Sequence, residues 1–492
     1  MITFRVLASF GSANDSWSMT TVFLPYMAGG RSLVLTGGGA MGYYNLLDLT
    51  AGTAVLLKST SLGGVTISDA ALLQGDGTPT VYTASRTGSS LVLHDLDSAG
   101  RLTALTPLAR VGGMQMEVSV LEPVRLGGVD YLAVAAHDVP GLALIRLPAT
   151  GGAELAAWVQ DGPKVTLSGV SDMVSLTLGG EVFLIAASSS RDGLTSFHLG
   201  TGGSLTVADS LTAKDGLWVS GVDALAVAEL GGRSFVIAGS ALTGSLSVLR
   251  INDLGVMFVT DQIHDDLTTR FGAVSEIATV TVGGRVLVVA GGGDGGISLL
   301  ELLPDGRLFH HAAFEAGSNS AAIVGGLTGL SVTVAGDGLQ ILAGGPGGVV
   351  QLQVPLSDLG PAWLGTPGAD TLTGGAGDDL IFGNGGADRL SGGAGDDLIF
   401  ALAAGATMTG GAGADIFHPG PGPATSTIRD FEPGTDLLDL GDWGRLYDPS
   451  ALTITSRSDG AEIRYGDNLL RIYSADGSAI PVASWGADDF LF

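Results

Sequence analysis

Seven segments of the chain share one alternation of apolar and polar positions. Each opens on an apolar stretch, often turns at a glycine pair, and runs into a second apolar stretch ending in small residues. A polar glycine loop and a third, alternating stretch follow. The second stretches read SLVLTGG (32–38), TVYTASR (80–86), YLAVAAH (131–137), VFLIAAS (182–188), SFVIAGS (234–240), RVLVVAG (285–291) and LQILAGG (339–345). Their aligned small residues, Thr36, Thr83, Ala135, Ala186, Ala238, Ala290 and Ala343, are spaced by 47, 52, 51, 52, 52 and 53. Third stretches such as SLSVLRI (245–251) and ISLLELL (297–303) alternate with period two, which is the mark of a strand with one buried face.

A unit of about 50 residues with three or four strands has the size of a propeller blade. Seven units predict seven blades over residues 1–357. The N-terminal ITFRVLASF has no blade of its own, and is expected to supply the missing outer strand of the last unit, leaving no open sheet edge. A solenoid of stacked β units is the alternative geometry. Lines such as FVIAGSALTGSLSVLRINDLGVM and LVVAGGGDGGISLLELLPDGRL resemble the seven-bladed lactonase-like (YVTN) propeller repeat. Such blades serve many functions, and no lactonase catalytic residue maps onto this chain.

A second repeat is shorter and stricter. From Gly365 the chain reads GTPGADTLT, GGAGDDLIF, GNGGADRLS, GGAGDDLIF, ALAAGATMT and GGAGADIFH. These six contiguous nonapeptides resemble the GGxGxDxUx repeat of the RTX family, in which U is a large apolar residue. The sixth position holds Asp370, Asp379, Asp388, Asp397, Ala406 and Asp415; the eighth holds Leu372, Ile381, Leu390, Ile399, Met408 and Phe417. Glycines give turn conformations closed to other residues, and carboxylates with carbonyls suit Ca2+, which takes 6–8 oxygens. The resemblance implies a parallel β-roll whose turns alternate between two sides, with calcium between turns two repeats apart. It therefore pairs Asp370 with Asp388, Asp379 with Asp397, and Asp397 with Asp415, about three sites in all. Asp378 and Asp396, at position five, are expected to face solvent.

The resemblance also implies export through a type I secretion apparatus, unfolded where calcium is low and folding outside the cell. TSTIRDFEPGTDLLDLGDW, which follows the repeats, is similar to segments after RTX arrays, and adds Asp430, Asp436 and Asp439 as further candidate ligands. The terminal GADDFLF resembles a type I secretion signal.

Composition agrees with this division. The net charge of −27 over 492 residues argues against nucleic acid and for cations. Cysteine is absent, which excludes disulfides and thiolate metal sites. The N-terminal residues lack a Sec pattern, and no apolar run reaches membrane-spanning length. The fold class expected is all-β: a seven-bladed β-propeller (1–357), a linker (358–364), a calcium β-roll (365–418) and a β-rich C-terminal cap with the export signal (419–492).

An acid recurs just before the inner strand of five blades: Asp69, Glu117, Asp172, Asp223 and Glu276. Converging on a channel mouth, these would hold a cation or a cationic ligand; alternatively each caps turn N–H groups in its own blade. His137-Asp138, His264-Asp265-Asp266 and His310-His311 read as solvated loop or strand residues rather than metal sites. Two functions follow for the propeller. One is a binding, adhesion or surface-assembly module for a glycan, a cell surface or copies of itself. The other is a secreted lactone hydrolase or polysaccharide lyase.

Overall fold

The computed structural model describes residues 3–11, 20–28, 30–38, 43–61, 67–73, 80–84, 91–96, 102–108, 118–136, 139–148, 153–317, 326–444, 446 and 448–491. Among these the chain is all-β, with only short 3-10 turns besides strands. It divides into two compact units. One holds Ile2–Val280 and Val286–Pro355; the other holds Leu356–Phe492 with the short piece Thr281–Arg285.

Six four-stranded antiparallel sheets are each built from four consecutive strands. Their first strands are Thr20–Ala28, Asp69–Leu73, Val118–Leu126, Val170–Leu178, Val222–Leu230 and Val274–Val282. A further four-stranded sheet is composite, in the order Arg5–Gly11, Gly348–Pro355, Gly338–Gly345, Gly329–Ala335. Its N-terminal strand pairs antiparallel with Gly348–Pro355, Arg5 opposite Gln353 and Gly11 opposite Gly348. The arrangement is propeller-like.

The second strands explain the continuous apolar runs in the sequence. In Arg233–Ser240, Arg285–Gly292 and Gly338–Gly345 both faces are buried, because each sheet is covered by a neighbour on either side. Ala135, Ala186, Ala238, Ala290 and Ala343 are fully buried at the aligned small position. Successive sheets share cores. Leu35, Tyr44 and Leu46 of the first pack with Ala70 and Val81 of the second; Phe235 and Val248 of the fifth pack with Val286, Val288 and Leu300 of the sixth. Val34, Leu47 and Leu49 of the first sheet meet Leu342 and Val349 of the composite sheet. The Gly179-Gly180 and Gly231-Gly232 hairpins have φ of +56°/+89° and +59°/+72°, the doubly left-handed turn that matches strand twist.

The outer strands each carry a β-bulge, for example opposite Ser196/Phe197 and Val248/Leu249. Asp209 and Asp261 sit at two of these bulges. Their Oδ2 atoms accept from the next sheet's Met257 N (2.9 Å) and Leu308 N (2.8 Å), so one repeated acid ties neighbouring sheets at the rim.

The second unit is a parallel β-roll of two sheets. One orders Thr371–Thr373, Arg389–Ala394, Thr407–Ala412, Thr425–Phe431, Asn468–Ser474, Gly460–Tyr465 and Thr453–Arg457. The other orders Leu359–Leu364, Asp378–Phe382, Leu398–Phe400, Ile416–His418, Leu437–Asp439 and Phe490–Leu491. Within the repeats the strands stack eighteen residues apart, Leu372 on Leu390 on Met408 and Ile381 on Ile399 on Phe417. Two expectations need correction here. The linker 358–364 is largely a strand, since Leu359–Leu364 pairs parallel with Asp378–Phe382. The roll also runs past 418: Ile428, Leu438, Ile463, Leu470, Ile472 and Phe490 continue the same buried core.

Candidate metal centre

The nonapeptides place their sixth-position carboxylates in two ladders. On one side Asp370 N donates to Asp388 Oδ1 at 2.9 Å, and the ladder ends there because Ala406 has no carboxylate. On the other, Asp379 N donates to Asp397 Oδ1 (2.8 Å), Asp397 N to Asp415 Oδ1 (3.0 Å), and Asp415 N to Asp436 Oδ1 (3.0 Å). Pro361 stands one turn before Asp379 and has no N–H. In its place the Trp363 indole N–H donates to Asp379 Oδ1 at 3.3 Å.

Asp388, Asp397, Asp415 and Asp436 thus each turn Oδ1 to a backbone donor of the preceding turn. The second oxygen lies beside the first glycine of its own repeat, next to a backbone carbonyl from the turn eighteen residues on. Asp379 Oδ2 and Gly392 O flank Gly374; Asp397 Oδ2 and Gly410 O flank Gly392; Asp388 Oδ2 and Ala401 O flank Gly383. A β-carbon at any of these glycines would fill the space between the oxygens. Among the described residues Oδ2 of Asp388 and of Asp397 is buried with no hydrogen-bond donor. No three His, Cys, Asp or Glu side chains gather as a metal cluster among the described residues; each cradle brings carboxylate and carbonyl oxygens together. That all-oxygen set fits Ca2+ and does not fit a thiophilic or imidazole-seeking ion.

The electrostatics point the same way. Burial, and then neighbouring carboxylates, push Asp397 and Asp415 up to about 7 and Asp436 up to about 6. Asp388 is raised as well, by burial and then by Asp370. Stacked acids without a counterion hold protons; a dication between them reverses that preference.

The further candidates separate. Asp436 takes the next rung of the longer ladder. Asp430 accepts from Gly410 N and Gly411 N, both at 3.0 Å, and so caps the turn beside that ladder. Asp439 stands apart, its Oδ2 2.9 Å from Nδ1 of the buried His418, whose Nε2 is 3.1 Å from Asp442. Position five is a correction: Asp378 Oδ1 accepts from Asp396 N and Asp396 Oδ1 from Ala414 N, both at 2.8 Å. These acids form a third ladder of turn caps and are only partly exposed. No sequence rule marks them, since DD differs from AD only at a position the repeat leaves open.

The glycines are testable parts of this site. Gly411 has φ +115°, and a β-carbon there would collide with Gly393 O one turn away. Gly411→Ala should destabilise the calcium-loaded roll by about 1–3 kcal/mol. Gly477→Ala, at a turn with open space, should cost less than about 1 kcal/mol, as read from chemical denaturation in calcium.

In the propeller-like unit, the recurring acids are mainly fasteners. Ser68 Oγ donates to Val118 O (2.9 Å), while Asp69 accepts from Ala70 N and from Leu121 N, each at 2.7 Å. Two sheets on, the pattern returns. Ser171 Oγ donates to Val222 O, and Asp172 accepts from Met173 N (2.7 Å) and Leu225 N (2.6 Å). Each Ser-Asp pair therefore bonds a carbonyl and an N–H of the next sheet's first strand. The own-blade cap of the sequence reading is half of the bond; the other half crosses between sheets.

Glu117 lies outside the described residues. The third sheet's working acid is Glu122, which accepts from Ser175 N (2.8 Å) and Ser175 Oγ (2.6 Å) of the fourth sheet. Sequence phase missed it because it sits five residues later. In the sixth sheet Ser275 Oγ donates to Leu327 O at 2.9 Å, but Glu276 accepts no hydrogen bond among the described residues. Asp223 is exposed and makes no such link: in register it stands where the fourth sheet has Ser171, and Ala224 takes the place of Asp172.

Burial pushes Asp69 and Asp172 up to about 7 and Glu122 up to about 8, against the lowering pull of their hydrogen bonds. Glu276 is raised by burial and then by Asp172 and Asp69. Acids of the second, fourth and sixth sheets feel one another only if their first strands converge on a common axis. Asp69, Asp172 and Glu276 are each partly exposed.

The weaker candidates are accounted for locally. Asp265 Oδ1 accepts from Thr269 Oγ1 and Phe271 N, and Asp266 Oδ1 from Thr268 N, which makes that loop a self-capped turn. His311 Nε2 is 2.8 Å from the buried Glu301, without a third ligand. His137-Asp138 lies outside the described residues.

Residues 364–399 match the family model of the RTX calcium-binding nonapeptide repeat, in four copies. No curated protein sequence matches the chain. The chain thus carries RTX calcium-binding nonapeptide repeats, folded as a β-roll. Among the described residues no helix is long and apolar enough to cross a membrane.

Proposed function

We propose that the chain leaves the cell through a type I secretion apparatus and that its roll folds on meeting external calcium. The observation that carries this is the buried, donor-free Oδ2 of Asp388 and Asp397 facing the backbone carbonyls of Ala401 and Gly410 across a space that suits a cation. Four adjacent pairs are available: Asp370/Asp388, Asp379/Asp397, Asp397/Asp415 and Asp415/Asp436. In the absence of metal these carboxylates repel, so binding free energy becomes folding free energy. The surface or the exterior of the cell is the compartment where such a switch works.

The propeller-like unit, read as a seven-bladed ring of lactonase-like type closed by Arg5–Gly11, serves as a binding or surface-assembly module in this proposal. The hydrogen bonds of Asp69, Asp172 and Glu122 support that reading over a hydrolase or lyase. A catalytic carboxylate needs a free face, and these are spent on the neighbouring sheet.

Calcium titration of the full chain, followed by far-UV circular dichroism and sedimentation, tests both parts. The β signal should rise with a midpoint of about 0.1–1 mM, while a folded core persists in chelator. A signal indifferent to chelator would remove the calcium switch; an increase in size at the same midpoint would mark assembly.

A further inference from the structure

We propose that the outer face of the roll's seven-stranded sheet is a docking surface for an acidic polysaccharide. Leu356–Phe492 contains 20 acids and six arginines, with no lysine. Five of those six arginines gather on this one face.

Register builds the face. Thr371, Arg389, Thr407, Thr427, Arg471, Glu462 and Thr455 lie opposite one another across all seven strands. Their neighbours in sequence, Leu390, Met408, Ile428, Ile472 and Ile463, fill the core, so this row points outward. Arg464 lies one row to one side, opposite Thr453 and Leu469, and Arg457 one row to the other, opposite Gly460. Arg429 and Arg471 stack on Tyr473, with guanidinium carbons 5.2 and 4.3 Å from its ring centre.

Among the described residues two acids pair with the arginines of this face. Glu462 pairs with Arg457 and Arg464, both at 2.9 Å, and Asp459 pairs with Arg471. Arg389 and Arg429 are exposed and have no ion pair among the described residues. In a chain of net charge −27 this segregation selects an anion.

The shape selects the kind. The face is a flat sheet of rungs about 4.8 Å apart, long enough for an extended chain lying across them. Along the central row two guanidiniums stand among four threonine hydroxyls, which suits the carboxylates and hydroxyls of a uronate-type glycan. The unit's exposed large apolar residues, Trp363, Leu364, Val482 and Leu491, are all elsewhere, so nothing here inserts into a bilayer.

The test uses the full chain in saturating calcium with fluorescein-labelled hyaluronate oligosaccharide, read by anisotropy. Neutral dextran and phosphatidylglycerol vesicles are the comparisons. Hyaluronate should bind and dextran should not. Arg389→Gln/Arg429→Gln should weaken binding about tenfold, the loss of two exposed charge contacts. Arg389→Lys/Arg429→Lys should keep most of it, and Arg146→Gln/Arg250→Gln in the other unit should change nothing. Dichroism in calcium checks folding; if the double glutamine variant fails there, Arg464→Gln on the exposed hairpin should still weaken binding severalfold. Absence of hyaluronate binding, equal binding by the glutamine variants, or binding to vesicles in its place would overturn the proposal.

Discussion

Asp397→Asn should raise the calcium concentration needed to fold the roll by about 10- to 100-fold, the largest shift of any single carboxylate. Asp397 is the one aspartate of the repeats that is both shared and buried without a donor on its second oxygen. It stands between Asp379, whose N–H it accepts, and Asp415, to which its own N–H donates. Substitution removes a charge from two adjacent cradles at once. A hydrogen-bonded or ligating charge is worth about 1.5–3 kcal/mol, and tenfold is 1.4 kcal/mol. Asp370→Asn, at the start of the short ladder, touches one cradle and should shift the midpoint less. Asp378→Asn removes a cap on Asp396 N and should shift it least. The order 397, 370, 378 in a dichroism titration checks the argument. Equal shifts for all three would mean that the acids act as a diffuse negative field and that no discrete cradles exist.

That order also shows what a sequence of this kind conveys. The nonapeptide phase, read with the two-sided roll that the RTX resemblance implies, assigns Asp370, Asp379, Asp388, Asp397 and Asp415 to their sides. Asp436 joins the same ladder after a spacing of 21, since two extra residues are absorbed between Ile416 and Thr427 and one more in the turn around Pro433 and Gly434, and Leu437 regains register with Ile416. A period of nine has no room for that insertion, so the rung reads only as a nearby acid. The fastening role of Asp69 and Asp172 is hidden for another reason. Their partners, Leu121 N and Leu225 N, are 52 and 53 residues away and are backbone groups, which carry no residue-type signal. Recurrence of Ser-Asp at blade spacing was visible; its direction across the sheet boundary was not. The cationic sheet face was equally silent, because Arg389, Arg471 and Glu462 become neighbours only through parallel stacking and a C-terminal hairpin.

Between pH 4 and pH 8 the propeller-like unit should lose stability, and Glu276→Gln should recover part of it at the alkaline end. Asp69 and Asp172 titrate near 7 and Glu122 near 8 in the folded chain, while an unfolded carboxyl titrates near 4. The folded state therefore binds more protons than the unfolded state throughout this window. Stability is fully present below about pH 4 as far as these groups are concerned, and falls as pH rises through 7–8. Each carboxylate that ionises does so beside others on the same axis. The summed effect is on the order of a few kcal/mol, since the groups are coupled and water reaches them in part. Glu276 is the informative member. Its carboxyl is raised by burial, Asp172 and Asp69, and among the described residues it accepts no hydrogen bond that an amide would forfeit. Glu276→Gln should raise the melting temperature by a few degrees at pH 8 and leave it nearly unchanged at pH 5. Asp172→Ala should lower it at both, through a stability loss of about 1–3 kcal/mol, because Leu225 N and Met173 N lose their acceptor. Thermal melts of the full chain in chelator, where the roll contributes no transition, separate the two effects. If Glu276→Gln instead lowers the melting temperature at pH 8, the ionised Glu276 carboxylate must be bound to something favourable on that axis, and a cation site there would become the simplest account.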